Sequence, residues 1–516
     1  VGVVENVLFS DNNLNGKLQL IEDSLCQMPH LVTLAVLNEN ITGTLPQCLA
    51  SMPALLQLYL SNLNLEPQPL PLFLASMKQL QVLALAAVNL VGPIPDEAAA
   101  LTGSVFSLIL SDNTLTGTIP EWLSHAGNLT SLVLRCNALE GTIPPSLFAR
   151  KFALLDLSQN KLNGSIPDAF LPYQYYVSLD LSHNQLEGTL PPTIGYVASS
   201  YFPVNITLAG NMLSGGVDVL FPAYSKLARL NLARNRFYGT IPAAVGLASN
   251  LSELVLSDNK LFGTIPAEIG NMGQLELLNL ADNEFTAIDR SMTLYTIPQL
   301  RQVSLRGNRL TWLPPLVYLD VVVEDNKVTQ CAYTSLMTFL DVSGNPIRPL
   351  SGGRRLRMGD ILSMLIASDI GVESALLSCV QGLQTGYARL KTLALAQIGL
   401  SGSLMPTIFE VFPGISHLDL QGNNLGGPLP QSTTFYSFTL PFSLEFLDLS
   451  NNALSGSLPA VYGPALETNL QFLGLRGMDM QMKLGAELPT FLQPDWTTVV
   501  QGTVDGNFVC PGLTAP

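Results

Sequence analysis

One phrase, Leu-x-Leu-Ser-x-Asn-x-Leu-x-Gly-x-Ile-Pro, constrains this chain more than any other feature. Its clearest copies are LILSDNTLTGTIP from Leu108, LDLSQNKLNGSIP from Leu155, LDLSHNQLEGTLP from Leu179 and LVLSDNKLFGTIP from Leu254. In the copy at Leu155, Leu155 and Leu157 alternate with Asp156 and Ser158, the period of a strand with one buried face. Leu162 then turns back inward, Gly164 relaxes the backbone at a bend, and Pro167 ends the ladder. One copy cannot bury its own leucines. Successive copies can, by stacking as coils of a solenoid whose strands align into a parallel sheet on one face. Asn160 offers both donors and acceptors, so the same residue in successive coils can form an amide ladder inside the turns.

Marking each coil by its Asn slot gives Asn12, Glu39, Leu63, Val88, Asn113, Asn137, Asn160, Asn184, Asn211, Asn235, Asn259, Asn283, Asn308, Asn326, Asn345, Asp369, Ile398, Asn423, Asn452 and Met478, about 20 coils. From Asn113 to Asn308 the steps are 24, 23, 24, 27, 24, 24, 24 and 25 residues. A length of 516 residues would ordinarily suggest several domains, but the repeat points to one elongated array. Residues 1–345 read as coils, shorter and irregular from about residue 284. Residues 346–390 read as an irregular stretch with one degenerate coil, 391–484 as coils again, and 485–516 as a carboxy-terminal cap with Trp496 lying on the last coil. The irregular stretch holds Arg354, Arg355 and Arg357, the densest basic cluster of the chain: a solvated loop, or a docking loop for an acidic partner or a carbohydrate.

Charged residues make up only 12% of the chain and apolar residues 47%, as a leucine-filled core requires. No run of 18 apolar residues occurs, so no membrane span is expected in this chain. A net charge of −15 argues against nucleic acid, which demands a basic stripe. The chain begins at Val1 inside a repeat, which reads as a removed leader or a missing amino-terminal part. Five glycosylation sequons begin at Asn40, Asn128, Asn163, Asn205 and Asn250 and favour a secreted or cell-surface location. Cys26 and Cys48 lie 22 residues apart, near one coil length, and are expected to form a disulfide between adjacent coils. Cys331 and Cys379 are a less favoured pair, Cys136 is expected to stay free, and Cys510 has no evident partner.

With these copies in view, the phrase resembles the plant-specific class of leucine-rich repeats, over roughly Val7 to Asn283 and Leu393 to Pro459. The chain looks like the ectodomains of plant receptor kinases and receptor-like proteins, and like polygalacturonase-inhibiting proteins. Similar repeats occur in surface proteins of algae and protists. GNFVCPG near the end is similar to carboxy-terminal caps of that class. The resemblance implies an α/β solenoid: a right-handed superhelix with a parallel sheet on the concave face and a second short strand at the Gly-x-Ile-Pro segment. It also implies extracellular recognition. The paired-cysteine amino-terminal cap of the class, a kinase domain and a transmembrane helix are not found in this sequence.

Catalysis needs converging reactive groups. His30, His125, His183 and His417 fall on different coils, and no HExxH, GxSxG, P-loop or paired CxxC motif occurs. Asp156, Asp180, Asp341, Asp419 and Asp448 recur at one strand position, a pattern that suits the repeat better than a calcium site. No enzyme activity, metal or cofactor is therefore expected. Val133, Arg135, Asn231, Val255, Asn279, Ser304 and Arg306 are the concave-face candidates for binding a protein or glycan. Without a visible aromatic cluster of the kind that anchors interfaces, the sequence tilts slightly towards a scaffold or adhesion component, with self-assembly or hetero-assembly, over a ligand-binding ectodomain or an inhibitor of a secreted enzyme.

Overall fold

The computed structural model describes residues 4–18, 26–172, 176–198, 202–221, 225–313, 317–324, 327–333, 337–348, 356–357, 366–367, 390–404, 409, 414–429, 443–456, 470–476 and 479–480. They fall into two compact units, Val1–Phe237 and Tyr238–Thr503.

In the first unit, ten parallel strands pair one to the next: Asn6–Ser10, Thr33–Thr42, Gln57–Leu63, Val82–Ala86, Ser107–Ile109, Ser131–Val133, Leu154–Asp156, Ser178–Asp180, Val204–Thr207 and Leu227–Asn231. The register aligns Leu108, Leu132, Leu155, Leu179, Ile206 and Leu230, all buried, so the first leucine of every phrase fills the core. The Gly-x-Ile-Pro segments form the expected second strands, in an array that includes Glu140–Thr142, Lys161–Ser165, Gln185–Thr189 and Met212–Gly215. Gly141 and Gly164 sit there at φ +78° and +74°, and a Cβ on either would meet a threonine methyl of the preceding coil at 2.9 Å. Pro46, Pro71, Pro95, Pro120 and Pro191 each immediately precede a short 3-10 turn on the returning segment, where a fixed φ is pre-set for the turn.

The second unit repeats the plan with eight parallel strands among its described residues: Glu253–Val255, Leu277–Asn279, Gln302–Ser304, Phe339–Asp341, Thr392–Ala394, His417–Asp419, Phe446–Asp448 and Phe472–Gly474. Its register corrects the coil count read from spacing. Gln302–Ser304 pairs directly with Phe339–Asp341, and that strand pairs directly with Thr392–Ala394. Asn345 Oδ1 accepts the Leu310 amide 35 residues earlier, and Ser343 Oγ accepts the Ala396 amide 53 residues later. Neither Asn326 nor Asp369, both outside the described residues, therefore marks a coil of the large sheet. The stretch after residue 308 holds long insertions rather than shortened coils. One insertion contains an antiparallel hairpin, Val317–Glu324 with Lys327–Tyr333, beside a short parallel strand at Ile366–Ala367. The proposed cap over 485–516, the Met478 slot, Cys379 and Cys510 also lie outside the described residues.

The asparagine ladder is present. In the first unit Asn160 is typical: its Oδ1 accepts the Leu139 amide of the preceding coil at 3.0 Å. Its Nδ2 donates to the carbonyls of Leu134, Leu157 and Ser158. At the Glu39 and Leu63 slots, where the asparagine is missing, the strands run on. Thr33–Thr42 and Gln57–Leu63 span 10 and 7 residues, against 3 in Leu154–Asp156. Backbone pairing continues through the bend there, up to Glu39 opposite Leu63, and takes over what the amide does elsewhere. Glu39 is a variation on the ladder. It is buried, and its carboxylate accepts the amides of Asn12 and Leu14 at 2.9 and 2.6 Å. Burial opposes ionisation of Glu39, but the hydrogen bonds from Asn12 and Leu14 outweigh it and hold its pKa below the ordinary value.

Each turn also depends on the residue before the asparagine. Asp11, Asn38, Asn62, Asp112, Cys136, Gln159 and His183 all have φ between 53° and 59°. That left-handed position favours Asp, Asn and Gly, which explains the recurrent Ser-Asp-Asn triplets and the Gly-Asn pairs at 210–211, 307–308, 344–345 and 422–423.

Candidate functional site

The candidate site is the solvent face of the large sheet, built from residues that alternate with the core leucines. In the first unit the slot between the two leucines holds, in register, Ile109, Val133, Asp156, Asp180, Thr207 and Asn231. Val133 is only 9% exposed and presents little surface, and Asn231 lies four strands away from it. Arg135 reaches Asp112 of the preceding coil at 3.4 Å. In the second unit Val255, Asn279 and Ser304 form a continuous row, with Val255 buried, and Arg306 pairs with Asp282 at 2.7 Å. The hydrogen bond that Arg306 donates to Asp282 raises the pKa of Arg306. Three candidates of the second unit are thus brought together, while those of the first are not. The backbone of Leu356–Arg357 pairs with Leu400–Ser401, and Arg354 and Arg355 lie outside the described residues.

The recurring aspartates have a local task. Oδ1 of Asp156, Asp180, Asp341, Asp419 and Asp448 each accepts the backbone amide two residues on, at 2.9–3.0 Å. Such an Asx turn closes the strand's exit bend, and Asn231 and Asn279 do the same for Ala233 and Ala281. No group of three or more metal-ligating side chains occurs among the described residues.

Holding carboxylates on adjacent strands has an electrostatic consequence. Burial raises the pKa of Asp156 and, joined by repulsion from Asp156, pushes Asp180 up to about 6 from 3.8. The native state thus keeps a proton on Asp180 that the unfolded chain has already released. The stabilisation is present in full below the unfolded value and is lost as pH rises towards 6. A shift of about two units corresponds to about 3 kcal/mol at most, and screening by solvent at this half-buried site reduces it to about 1–2. Asp180→Asn keeps an oxygen for Ser182. It is expected to stabilise the first unit by about 1 kcal/mol near pH 7.5 and by less near pH 5. Denaturant melts at the two pH values check this, and an equal gain at both contradicts it.

In the second unit the slot before the first leucine carries the feature that sequence reading missed. His417, Phe446 and Phe472 occupy it on three consecutive strands. Their rings stack, His417 on Phe446 at 5.8 Å and 14°, and Phe446 on Phe472 at 4.5 Å and 9°. All three are half-buried on the solvent face. The signal was available in HLDL, FLDL and FLGL, had that slot been read down successive coils instead of along each one.

The disulfide Cys26–Cys48 is present, with Cα atoms 5.9 Å apart. Cys136, expected to be free, is disulfide-bonded, so one sequence expectation fails there. Cys331 is described only in its backbone, so its pairing with Cys379 stays an expectation. Asn40, Asn128, Asn163 and Asn250 are exposed, whereas Asn205 is half-buried on the large sheet, between Ser178 and Arg229. No helix among the described residues is long and apolar enough to cross a membrane.

With this geometry in place, the resemblance to known proteins is specific in fold. The Leucine Rich Repeat family model matches residues 104–126, 128–149, 153–172, 177–197, 250–272 and 443–463. A stretch of 82 residues, 16% of the chain, is 38% identical to the LRR receptor-like serine/threonine-protein kinase GSO2 of Arabidopsis thaliana, of which it spans 6%. The crystal structure of PEPR1-AtPEP1 is similar with a TM-score of 0.64 at 26% identity, over 92% of this chain and 61% of that one. The LRR ectodomain of the Arabidopsis receptor kinase HAESA, in complex with an IDA peptide hormone ligand, is similar with a TM-score of 0.61 at 25% identity, over 89% and 76%. The Leptospira interrogans LRR protein LIC12759 shares the fold, with a TM-score of 0.50 at 22% identity over 87% and 91%. The chain is a leucine-rich-repeat solenoid that resembles plant receptor ectodomains and spans only part of the length of the receptors it resembles.

Proposed function

We propose that this chain is a non-catalytic, extracellular recognition module that holds a segment of a partner protein on the concave face of its parallel sheet. The observation that carries this reading is the aromatic column His417–Phe446–Phe472 on that face. Rings are the usual anchors of protein interfaces, and their seeming absence was what favoured a scaffold. In the second unit Arg306–Asp282 adds an ordered charge pair, and in the first unit Arg135–Asp112 does so by itself. The similar HAESA ectodomain is in complex with a peptide hormone ligand, which supports a protein partner over a glycan. The exposed sequons and the Cys26–Cys48 bridge suit a secreted or surface location. A scaffold of self-packing chains and an enzyme inhibitor are the alternative roles.

Asn205 tests the reading. A glycan there would extend about 10 Å and cover the last strands of the first unit's concave face, Ser178–Asp180 to Leu227–Asn231, displacing contacts from that end. Sequon geometry by itself favours occupancy, because modification precedes folding. The recognition reading expects Asn205 to be bare and glycans to sit at Asn40, Asn128, Asn163 or Asn250. Intact glycopeptide mass spectrometry decides the matter, and full occupancy of Asn205 removes that end of the first unit's face from the proposal.

A further inference from the structure

The concave face of the second unit changes character along its length. In the first unit, the slot before the core leucine holds Ser107, Ser131, Leu154, Ser178, Asn205 and Arg229. In the second unit the same slot ends in His417, Phe446 and Phe472, stacked on one another at the solvent surface. Both faces of the Phe446 ring are taken up by its neighbours, so what it offers a partner is its edge. A ring edge carries the positive rim of the quadrupole, so it does not attract a cation, but it is a good surface for aliphatic chains. Negative charge lies on either side of the column. Asp419 and Asp448 face each other on adjacent strands two residues along, and exposed Glu445 directly precedes Phe446.

Resting on the reading that the concave face binds a partner, we infer that its second unit takes an extended segment of a partner protein rich in arginine or lysine and interspersed with aliphatic residues. The aliphatic stems would lie along the ring edges and the cationic heads would reach half-buried Asp419, with buried Asp448 adding its charge from beneath the surface, the arrangement long basic side chains adopt on apolar surface. Two further facts commit the surface to a cation. The chain carries 39 acidic residues against 24 basic ones. Burial raises the pKa of Asp419 and repulsion from Asp448 and Asp341 raises it further, so an incoming positive charge relieves an existing conflict. The opposing charges nearby are Lys391 and Arg476, on the solvent-exposed margins of the patch. Glu445, Asp419 and Asp448 outnumber them.

The experiment uses the intact glycosylated chain and a fluorescein-labelled peptide of alternating arginine and leucine. Controls are its arginine–serine and glutamate–leucine counterparts. Binding is followed by anisotropy and located by hydrogen–deuterium exchange. The expected result is binding of the arginine–leucine probe with protection over the strands at 417–419, 446–448 and 472–474. Affinity should be at least about tenfold weaker for the arginine–serine probe and absent for the glutamate probe. The double variant Asp419→Asn, Asp448→Asn keeps the oxygens that hold Gln421 and Ser450, so its fold is retained. It should lose about tenfold in affinity, or about 1.4 kcal/mol. Glu140→Gln with Glu187→Gln, an equal charge change at exposed positions on the second strands of the first unit, should leave the affinity unaltered. Equal losses in the two double variants would mean non-specific attraction to an acidic protein and overturn the inference. Protection confined to the first unit overturns it too, while leaving the recognition reading intact. Protection only on the returning segments would defeat both. Self-association that vanishes in the Asp419, Asp448 variant would show a second copy of the chain to be the occupant, against the inference.

Discussion

Asn160→Ala is expected to destabilise the first unit by about 2–3 kcal/mol, the largest effect of any single ladder substitution considered. The size follows from which partners have alternatives. Asn160 Nδ2 donates to three carbonyls, and each keeps another donor: Leu134 O has Asn137 Nδ2, Leu157 O has Asn184 Nδ2, and Ser158 O has the Cys136 amide. The buried amide of Leu139 has only Asn160 Oδ1 at 3.0 Å. One buried donor without an acceptor costs about 1–3 kcal/mol, and the emptied volume adds to it. Glu39→Ala removes the acceptor of two amides, Asn12 and Leu14, but both residues are exposed and water replaces the carboxylate. Its effect should be well below that of Asn160→Ala. Denaturant melts of the two variants, followed by hydrogen exchange of the first unit's strands, compare them directly. Equal and negligible shifts would mean that the ladder contributes nothing.

Breaking Cys26–Cys48 is expected to cost about 3 kcal/mol, on the chain-entropy argument for a loop of this length. The loss should be local. The bridge joins the segments that lead into the strands Thr33–Thr42 and Gln57–Leu63, near an edge where Asn6–Ser10 has a neighbour on one side only among the described residues. Leu8 is 67% exposed there, so little packing holds that end. The double variant Cys26→Ser, Cys48→Ser should therefore open Asn6–Ser10 and Thr33–Thr42 first in hydrogen exchange, with the strands from Ser107 onwards still protected. Uniform loss of protection would contradict this account, and two free thiols in the native protein would remove it altogether.

Where one phrase decides both local structure and packing, the sequence was readable. Leu155 and Leu157 point to the core because strand alternation leaves them no other place, and Asn160 lies in the turn because its short amide can accept the Leu139 amide and donate to three carbonyls at once. The coils at Leu63 and Val88 were legible as departures, though not their remedy. At Leu63 a longer strand replaces the amide, which depends on neighbouring backbone and not on the residue itself. The count failed at Asn326 and Asp369 because an asparagine or aspartate at roughly the right distance carries the spacing of the repeat without its flanking leucines, and only pairing register separates a coil from an insertion. The candidate site was least legible. Val133 and Val255 were placed on the correct face, but burial leaves them little to offer. The column at His417, Phe446 and Phe472 depends on contact between residues some 25 positions apart, a period that shows only when coils are aligned.

The account stands or falls on whether the concave face is left open for a partner or consumed by assembly with other copies. Light scattering coupled to size-exclusion chromatography on the purified, glycosylated chain measures this most directly. The recognition reading predicts one species at the monomer mass, 55.5 kDa plus its sugar, unchanged on concentration. A ladder of multimers or an open-ended polymer growing with concentration would contradict it and return the scaffold role to first place.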